Sequence, residues 1–157
     1  MSGHQERDGA DWQWTGEALE GLLVGLPCPI EGWSSLAIGA DQLFAETVLR
    51  MGGSLTTVVP GEWYEECYGT PQALARYRDL LGRGDVVALG GFEGEEAFLQ
   101  AGRRIVEETD LLVAIWDGRP ARGRGGTGDI VEYALGLGKP VRRIDPVRRE
   151  HHDLGKG

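Results

Sequence analysis

Apolar runs and amphipathic segments alternate along most of the chain. Short runs rich in branched residues predict strands, and segments whose apolar residues recur about every 3.6 positions predict helices. The predicted strands cover residues 34–38, 55–59, 85–89, 110–116 and 140–144, and the predicted helices cover residues 15–26, 40–51, 71–81, 94–108 and 128–138. This alternation is typical of a parallel β-sheet with helices packed on it.

The strands are almost continuously apolar, which predicts a sheet buried on both faces. We therefore expect an α/β fold with a Rossmann-like, doubly wound, mainly parallel sheet in a single domain. The chain has 157 residues, and a barrel of eight strands and helices needs about 250. Residues 1–144 would form the domain and residues 145–157 a polar, frayed tail. No apolar run precedes Gly3 and His4, so the usual opening strand is either missing or lies upstream.

The composition narrows the functional classes. The formal net charge is -9 and the pI is about 4.8, which argues against a nucleic-acid partner, because such proteins present a basic surface. No apolar run reaches the roughly 20 residues that span a bilayer, and the first residues are polar, so we expect a cytoplasmic protein with no membrane partner. Cys28 and Cys67 form no metal-binding spacing. His151 and His152 fall in the expected tail, and we expect neither a metal nor a cofactor.

Two short loops are candidates for ligand contact, because ligands of open parallel sheets bind outside the carboxyl ends of the strands. The first loop is SGHQ, residues 2–5, with Gly3 and His4. The second is IGAD, residues 38–41, in which Gly39 and Ala40 join a strand directly to a helix. Asp41 could accept a hydrogen bond from a ribose hydroxyl, or could simply cap that helix.

The stretch from Gly123 to Gly128 has the letters of the dinucleotide fingerprint G-x-G-x-x-G. Its context differs, because Asp117 to Arg122 separate it from the preceding strand and only one strand follows. A more general interpretation is an anion site at the start of a helix, where free N–H groups and arginines could bind a phosphate. Candidate contacts are Asp117, Arg122, Arg124, Gly125, Gly126, Thr127 and Gly128. The alternative is a glycine-rich, mobile crossover loop.

Two acids follow in the same helix. Asp129 and Glu132 are three positions apart and so share one helical face. A carboxylate there could orient a ribose or act at an anomeric carbon, or it could be an ordinary surface acid. In the aromatic segment 61–68, a ring could stack on a base, although Trp63 and Tyr64 more commonly pack against the domain or a partner subunit.

The chain resembles the SLOG superfamily in four segments, which are SGHQ, SLAIGADQLFAE, AGRRIVEETDLLVAIWDG and RGRGGTGDIVEYALGLGKPV. This superfamily joins the DNA-processing protein DprA, the Lonely Guy cytokinin-activating enzymes and nucleotide-sensor domains. The resemblance covers roughly residues 2–144 and implies a Rossmann-like fold that binds nucleotides at the carboxyl edge of its sheet. By position, it implies a site lined by Gly3, His4, Gly39, Ala40, Asp41, Gly125, Gly126, Thr127 and Glu132.

Two enzyme families share this architecture, and their motifs can be aligned with this sequence position by position. Lonely Guy enzymes carry P-G-G-x-G-T-x-x-E, and residues 124–132 keep its glycines and its acid, with Arg124 in place of the proline and Asp129 in place of the threonine. The catalytic arginine of that family falls near Ala101. In nucleoside deoxyribosyltransferases the nucleophilic glutamate falls at Ile130, which cannot attack an anomeric carbon.

Three hypotheses follow. The first is a sensor or ligand-binding protein for a nucleotide or nucleotide-derived small molecule. The second is a nucleotide N-glycosidase, a phosphoribohydrolase similar to the Lonely Guy enzymes. In it the catalytic residue Glu132 would stabilise the oxocarbenium-like centre, and an arginine would hold the 5′-phosphate. The third is a non-catalytic assembly module that uses the segment GFEGEEAFL and the Trp63/Tyr64 loop. Relatives of this fold often dimerise, so we expect a homodimer.

Overall fold

Strands and helices alternate along the chain as the sequence pattern predicts. The computed structural model describes residues 1–5, 7–121 and 123–155. In chain order the elements are Ser2–Gly3 (β1), Trp12–Val24 (α1), Glu31–Ser34 (β2), Ala40–Arg50 (α2), Ser54–Val59 (β3), the 3-10 helix Glu62–Cys67, Pro71–Leu81 (α3), Asp85–Ala88 (β4), Gly94–Glu108 (α4), Leu112–Ile115 (β5), Thr127–Gly136 (α5), Val141–Asp145 (β6) and Glu150–Leu154 (β7).

The strands form two hydrogen-bonded groups that meet at β1. One group has the order β4, β3, β2, and the other has the order β1, β5, β6, β7. Pairing is parallel except between β6 and β7. The Met1 amino group donates to the carbonyl of Trp33 in β2 over 2.9 Å, which places β1 beside β2. The strand order therefore runs in opposite directions from β1 and β5, as in a doubly wound Rossmann-like sheet.

Helices cover both faces of this sheet. Val113 and Ile115 of β5 pack in one apolar cluster with α1 and α2, whereas Leu112 and Ala114 pack in another with α4 and α5. All four side chains are buried. Successive residues of a strand point to opposite faces, so burial of all four confirms the predicted single α/β domain with a sheet enclosed between two helical layers.

An opening strand is present at Ser2–Gly3, which corrects the expectation that this strand is either missing or lies upstream. β1 is only two residues long, and Ser2 and Gly3 pair with Ala114 and Ile115 of β5. A two-residue strand gives no hydrophobic run, because its place in the sheet depends on backbone pairing and on the close fit around Gly3. A Cβ at Gly3 would lie 2.5 Å from the Cβ of Ala40.

The second strand lies earlier than predicted, at Glu31–Ser34, and residues 35–38 form the loop that leaves it. Leu36 in that loop has a φ of 58°, which ends the extended conformation. The strand itself begins with Glu31 and Gly32, which do not look like strand residues in the sequence. Gly32 is needed because Phe44 and Val48 of α2 pack within 3.1 Å of where a Cβ would stand.

Residues 150–154 form the strand β7, and the prediction of a frayed tail is wrong for them. β7 pairs antiparallel with β6, and Arg142 forms an ion pair with Asp153 across the two strands at 2.6 Å. Leu154 packs against the α4–α5 cluster. The strand is polar because most of its side chains are exposed, so its sequence resembles a tail.

The aromatic segment 61–68 packs within its own domain. Tyr64 and Tyr68 are buried with Tyr77 of α3, and the rings of Tyr68 and Tyr77 stack with centroids 4.4 Å apart. Trp63 contacts Phe98 of α4 edge to face. Of the alternatives that the sequence left open for Trp63 and Tyr64, the structure shows packing against the domain.

Gly39→Ala is predicted to destabilise the fold strongly. Gly39 has a φ of 95°, and a Cβ there would overlap the carbonyl oxygen of Gln5. The backbone strain alone costs on the order of 1–3 kcal/mol, and the overlap adds to it. Urea unfolding measures the change in the free energy of unfolding.

Gly21→Ala in α1 is the matched control. Nothing lies within 4 Å of a Cβ at this helical glycine, so alanine should raise the free energy of unfolding by about 0.5–1 kcal/mol. Equal effects of the two substitutions would contradict the close approach of the β1 loop to Gly39.

Candidate functional site

A cavity of about 890 Å³ opens where β1 and β5 end. These neighbouring strands are the point at which the strand order reverses, and ligands of open α/β sheets bind in the crevice outside such a point. Its size falls within the range of small-molecule sites, roughly 300–1,000 Å³. Among the sequence-predicted residues, those that line it are Gly3, His4, Asp41, Asp117, Arg124, Gly125, Gly126, Thr127 and Gly128.

The remaining predicted residues lie elsewhere. Gly39 and Ala40 support the cavity from behind, and the Ala40 amide donates to the carbonyl of His4 over 3.0 Å. Asp129 is in the first turn of α5, where its carboxylate accepts from the amide of Gly125 over 2.8 Å. Glu132 is exposed on α5 and is not among the lining residues. Arg122 lies outside the described residues.

Asp117 is the centre of a buried charged cluster on the cavity wall. Its carboxylate contacts the Nη2 of Arg7 at 2.5 Å and the Nε2 of His4 at 3.1 Å, and its side chain is only 6% exposed. It also accepts from the amide of Arg119 over 3.1 Å, with the Arg119 Nε at 3.6 Å. The cluster joins the loop after β1 to the loop after β5, so the two sides of the cavity are held together by charge.

These partners decide the ionisation of Asp117. Burial by itself raises the pKa of this carboxyl, but the hydrogen bonds from Arg119 and His4, with the positive charge of Arg7, outweigh it. The net pKa lies below its usual value, so the carboxylate is anionic near neutral pH.

The loop after β5 is held from behind by β6. Arg143 donates through Nε to the carbonyl of Trp116 over 3.1 Å and through Nη2 to Asp145 over 2.7 Å. The indole N–H of Trp116 donates in turn to the carbonyl of Arg119 over 2.7 Å. Gly118, at a φ of 82°, makes the turn between them. These contacts therefore hold the backbone that carries Asp117 and Arg119 in place.

The opposite wall is the start of α5. Gly126 is its N-cap and makes no side-chain hydrogen bond to the helix, so the N-cap residue leaves the first amides of the helix without a side-chain acceptor. Gly125, at a φ of 84°, lets the loop approach the backbone of Leu99 in α4. Arg124 reaches Glu96 of α4 at 3.1 Å. This wall offers N–H donors and a cation to an anion.

The floor of the cavity contains a second buried acid. Asp41, which is 6% exposed, lies in the first turn of α2 and accepts from the hydroxyl of Ser34 over 3.0 Å and the amide of Ser35 over 3.2 Å. Burial raises the pKa of Asp41 to about 6, although the positive charge of the Met1 amino group and these hydrogen bonds oppose the rise. As a lining residue, Asp41 offers a carboxyl oxygen that can accept a hydrogen bond from a hydroxyl group.

The sequence pattern does not reveal several cavity residues. Arg7 stands in the polar leader, and its role depends on the distant Asp117. Trp116, Glu95 and Phe98 line the cavity from β5 and α4. Only Trp116 had a local signal, because it ends an apolar strand directly before Asp117, at the edge where ligands of such sheets bind.

Asp41→Asn is predicted to change how stability depends on pH. The folded-state pKa of Asp41 is about 6 against an ordinary value of 3.8, so the folded protein binds this proton more tightly than the unfolded chain. Wild type therefore loses stability from this group as the pH rises from 3.8 to about 6. The variant lacks that loss, and its free energy of unfolding relative to wild type should increase across the window.

Urea unfolding of both proteins at about pH 4 and about pH 7 measures this difference. Asp117 is present in both proteins, so its lowered pKa contributes equally to their stability and does not contribute to the difference between them. A difference that does not change with pH would show that Asp41 is not held in its protonated form by burial.

Comparisons with known proteins identify the fold. No family model matches the chain, and no curated protein matches its sequence. The crystal structure of DNA processing protein A (DprA) from Streptococcus pneumoniae is similar to it, with a TM-score of 0.66 and 20% sequence identity over 92% of this chain and 49% of that one. This chain thus spans about half the length of that protein. At such identity the likeness shows the fold alone. The Rossmann-like α/β fold that the sequence predicts is therefore confirmed.

Proposed function

We propose that the cavity between β1, β5 and α5 binds a nucleotide or nucleotide-derived small molecule. The observation that carries the proposal is the combination, around one cavity, of arginine side chains with a helix start that no side chain caps. Arg119 and Arg124 line the cavity beside Gly126 and Thr127. Together, amide donors and guanidinium groups are the usual protein partners of a phosphate group.

Other parts of the lining suit the rest of such a ligand. Phe98, Tyr64 and Trp116 contribute aromatic rings, which supply apolar surface for a base. Asp41, on the floor, supplies an acceptor for a hydroxyl group of a sugar. The cavity thus combines one anion-binding wall with an apolar and weakly polar remainder, as expected for a nucleotide.

Binding rather than N-glycosidic hydrolysis is the function we propose. The hydrolysis hypothesis assigns the chemistry to Glu132, and this side chain lies on the exposed part of α5, away from the cavity lining. A group that acts on a reacting bond must lie within hydrogen-bond reach of it. No such geometry supports Glu132.

A small molecule fits the chain better than a nucleic acid does. The similar structure is that of a DNA processing protein, but the present chain has a formal net charge of -9. A phosphate backbone would be repelled by that charge.

No helix in the described ranges has the length and hydrophobicity to cross a bilayer.

Screening a panel of nucleosides and mono-, di-, tri- and cyclic nucleotides by thermal shift should identify ligands that raise the melting temperature. A ligand present at 100 times its Kd stabilises the folded state by about 2.7 kcal/mol. For a chain of this size that corresponds to a rise of roughly 5–10 °C. A panel in which no member shifts the melting temperature would contradict the proposed function.

Arg119→Ala is predicted to weaken binding of any phosphate-bearing ligand from that panel by about 10-fold, the loss typical of a charge-assisted hydrogen bond. The side chain is 74% exposed, so the fold should tolerate the change. Isothermal titration calorimetry gives the Kd.

Arg83→Ala is the matched control, because it also removes one exposed arginine that pairs with an aspartate, here Asp79 of α3, away from the cavity lining. It should leave the Kd unchanged. Equal losses in the two variants would mean that overall charge, and not the cavity wall, governs binding.

A further inference from the structure

Arg7 is the more buried of the two arginines that contact Asp117, and the Asp117 carboxylate balances its charge. Arg7 is mostly buried, with 16% of its side chain exposed, and its guanidinium faces the Asp117 carboxylate at 2.5 Å. Its Nε is buried and has no hydrogen-bond partner among the described residues. The charge of Arg7 is therefore balanced by the Asp117 carboxylate. The Nε–H group of Arg7 has no acceptor among the described residues.

The cavity as a whole has the same balance. The described arginines that line it are Arg7, Arg119 and Arg124, and the described carboxylates that line it are Asp41, Glu95 and Asp117. Arg124 also pairs with Glu96 at its edge. Among the described residues, the arginines that line this cavity therefore face an equal number of acids.

We propose that Asp117 is a specificity-determining residue, a built-in counter-anion that limits how much negative charge a ligand can bring into the cavity. This inference rests on the proposed function, since it takes the cavity wall to be the phosphate-binding surface. Asp117 occupies Arg7 and approaches Arg119, so each further phosphate meets a carboxylate where it would otherwise meet a free guanidinium.

The physical cost grows with ligand charge. Two like charges in a partly buried site repel each other more strongly than they would in bulk water. Asp117 cannot relieve that repulsion by moving, because Arg119, His4 and Arg7 hold it. Its lowered pKa also opposes relief by protonation. Specificity set by a placed repulsive group is a common device in recognition.

The first test uses the unmodified protein and inorganic anions, so that it does not depend on which base the cavity accepts. Calorimetric titration with phosphate, pyrophosphate and tripolyphosphate at constant ionic strength gives three Kd values. The proposal predicts that affinity stays level or falls along this series. An affinity that rises about 10-fold or more with each added phosphate, as simple charge attraction gives, would overturn it.

The second test removes the charge of Asp117 but keeps its shape. In Asp117→Asn the proposal predicts that pyrophosphate binds about 10-fold more tightly, because Arg7 and Arg119 are freed. Asp79→Asn is the matched control, since it removes an exposed aspartate that also pairs with an arginine, and it should leave the Kd unchanged. Weaker or unaltered pyrophosphate binding in Asp117→Asn would show that Asp117 positions Arg7 and does not restrict ligand charge.

The two proposals fail in different ways. If no nucleotide binds while the inorganic series keeps its predicted order, the proposed function fails and the role of Asp117 stands. If nucleotides bind and their affinity climbs steeply from mono- to triphosphate, the proposed function stands and the role of Asp117 fails. If Asp117→Asn does not fold, as judged by circular dichroism, the series on the unmodified protein decides the question.

Discussion

The structure depends on how closely the loop after β1 fits between its neighbours. The amide of His4 donates to the carbonyl of Ile115 over 3.0 Å, and the carbonyl of His4 accepts from the amide of Ala40 over 3.0 Å. Glycine at positions 3 and 39 leaves the space that this approach requires. A strand of two residues thereby joins the two halves of the sheet, and it brings His4 and Arg7 to the carboxyl end of β5.

The charged cluster around Asp117 follows from this arrangement. A buried carboxylate is costly unless partners surround it, and here it is met from the β1 side by His4 and Arg7 and from the β5 side by the Arg119 amide. The Arg143–Asp145 pair then fixes the backbone that carries it. The cavity is consequently preorganised, which reduces the ordering that a ligand would otherwise have to induce.

Much of the fold could be predicted where sequence signals are local. The bounds of α3 and α4 agree with the prediction because Pro71 and the acids after Gly94 mark helix starts. Strands β1, β2 and β7 were missed or misplaced, because their sequences are set by close backbone approach or by exposure and not by an apolar run. The rule for carboxyl edges led to loops that line the cavity. The part played by Arg7 could not be predicted, since it depends on pairing with a residue 110 positions away.

The central claim is that a ligand occupies the cavity between β1, β5 and α5. Hydrogen exchange followed by mass spectrometry, with and without the nucleotide that stabilises the protein most, tests it directly, because amides that bind a phosphate become protected. The account predicts protection confined to the residues from Arg124 to Gly128 and the loop from Gly3 to Gln5, with none in β7. Protection that appears instead along β4 or β7, with the start of α5 unchanged, would contradict it.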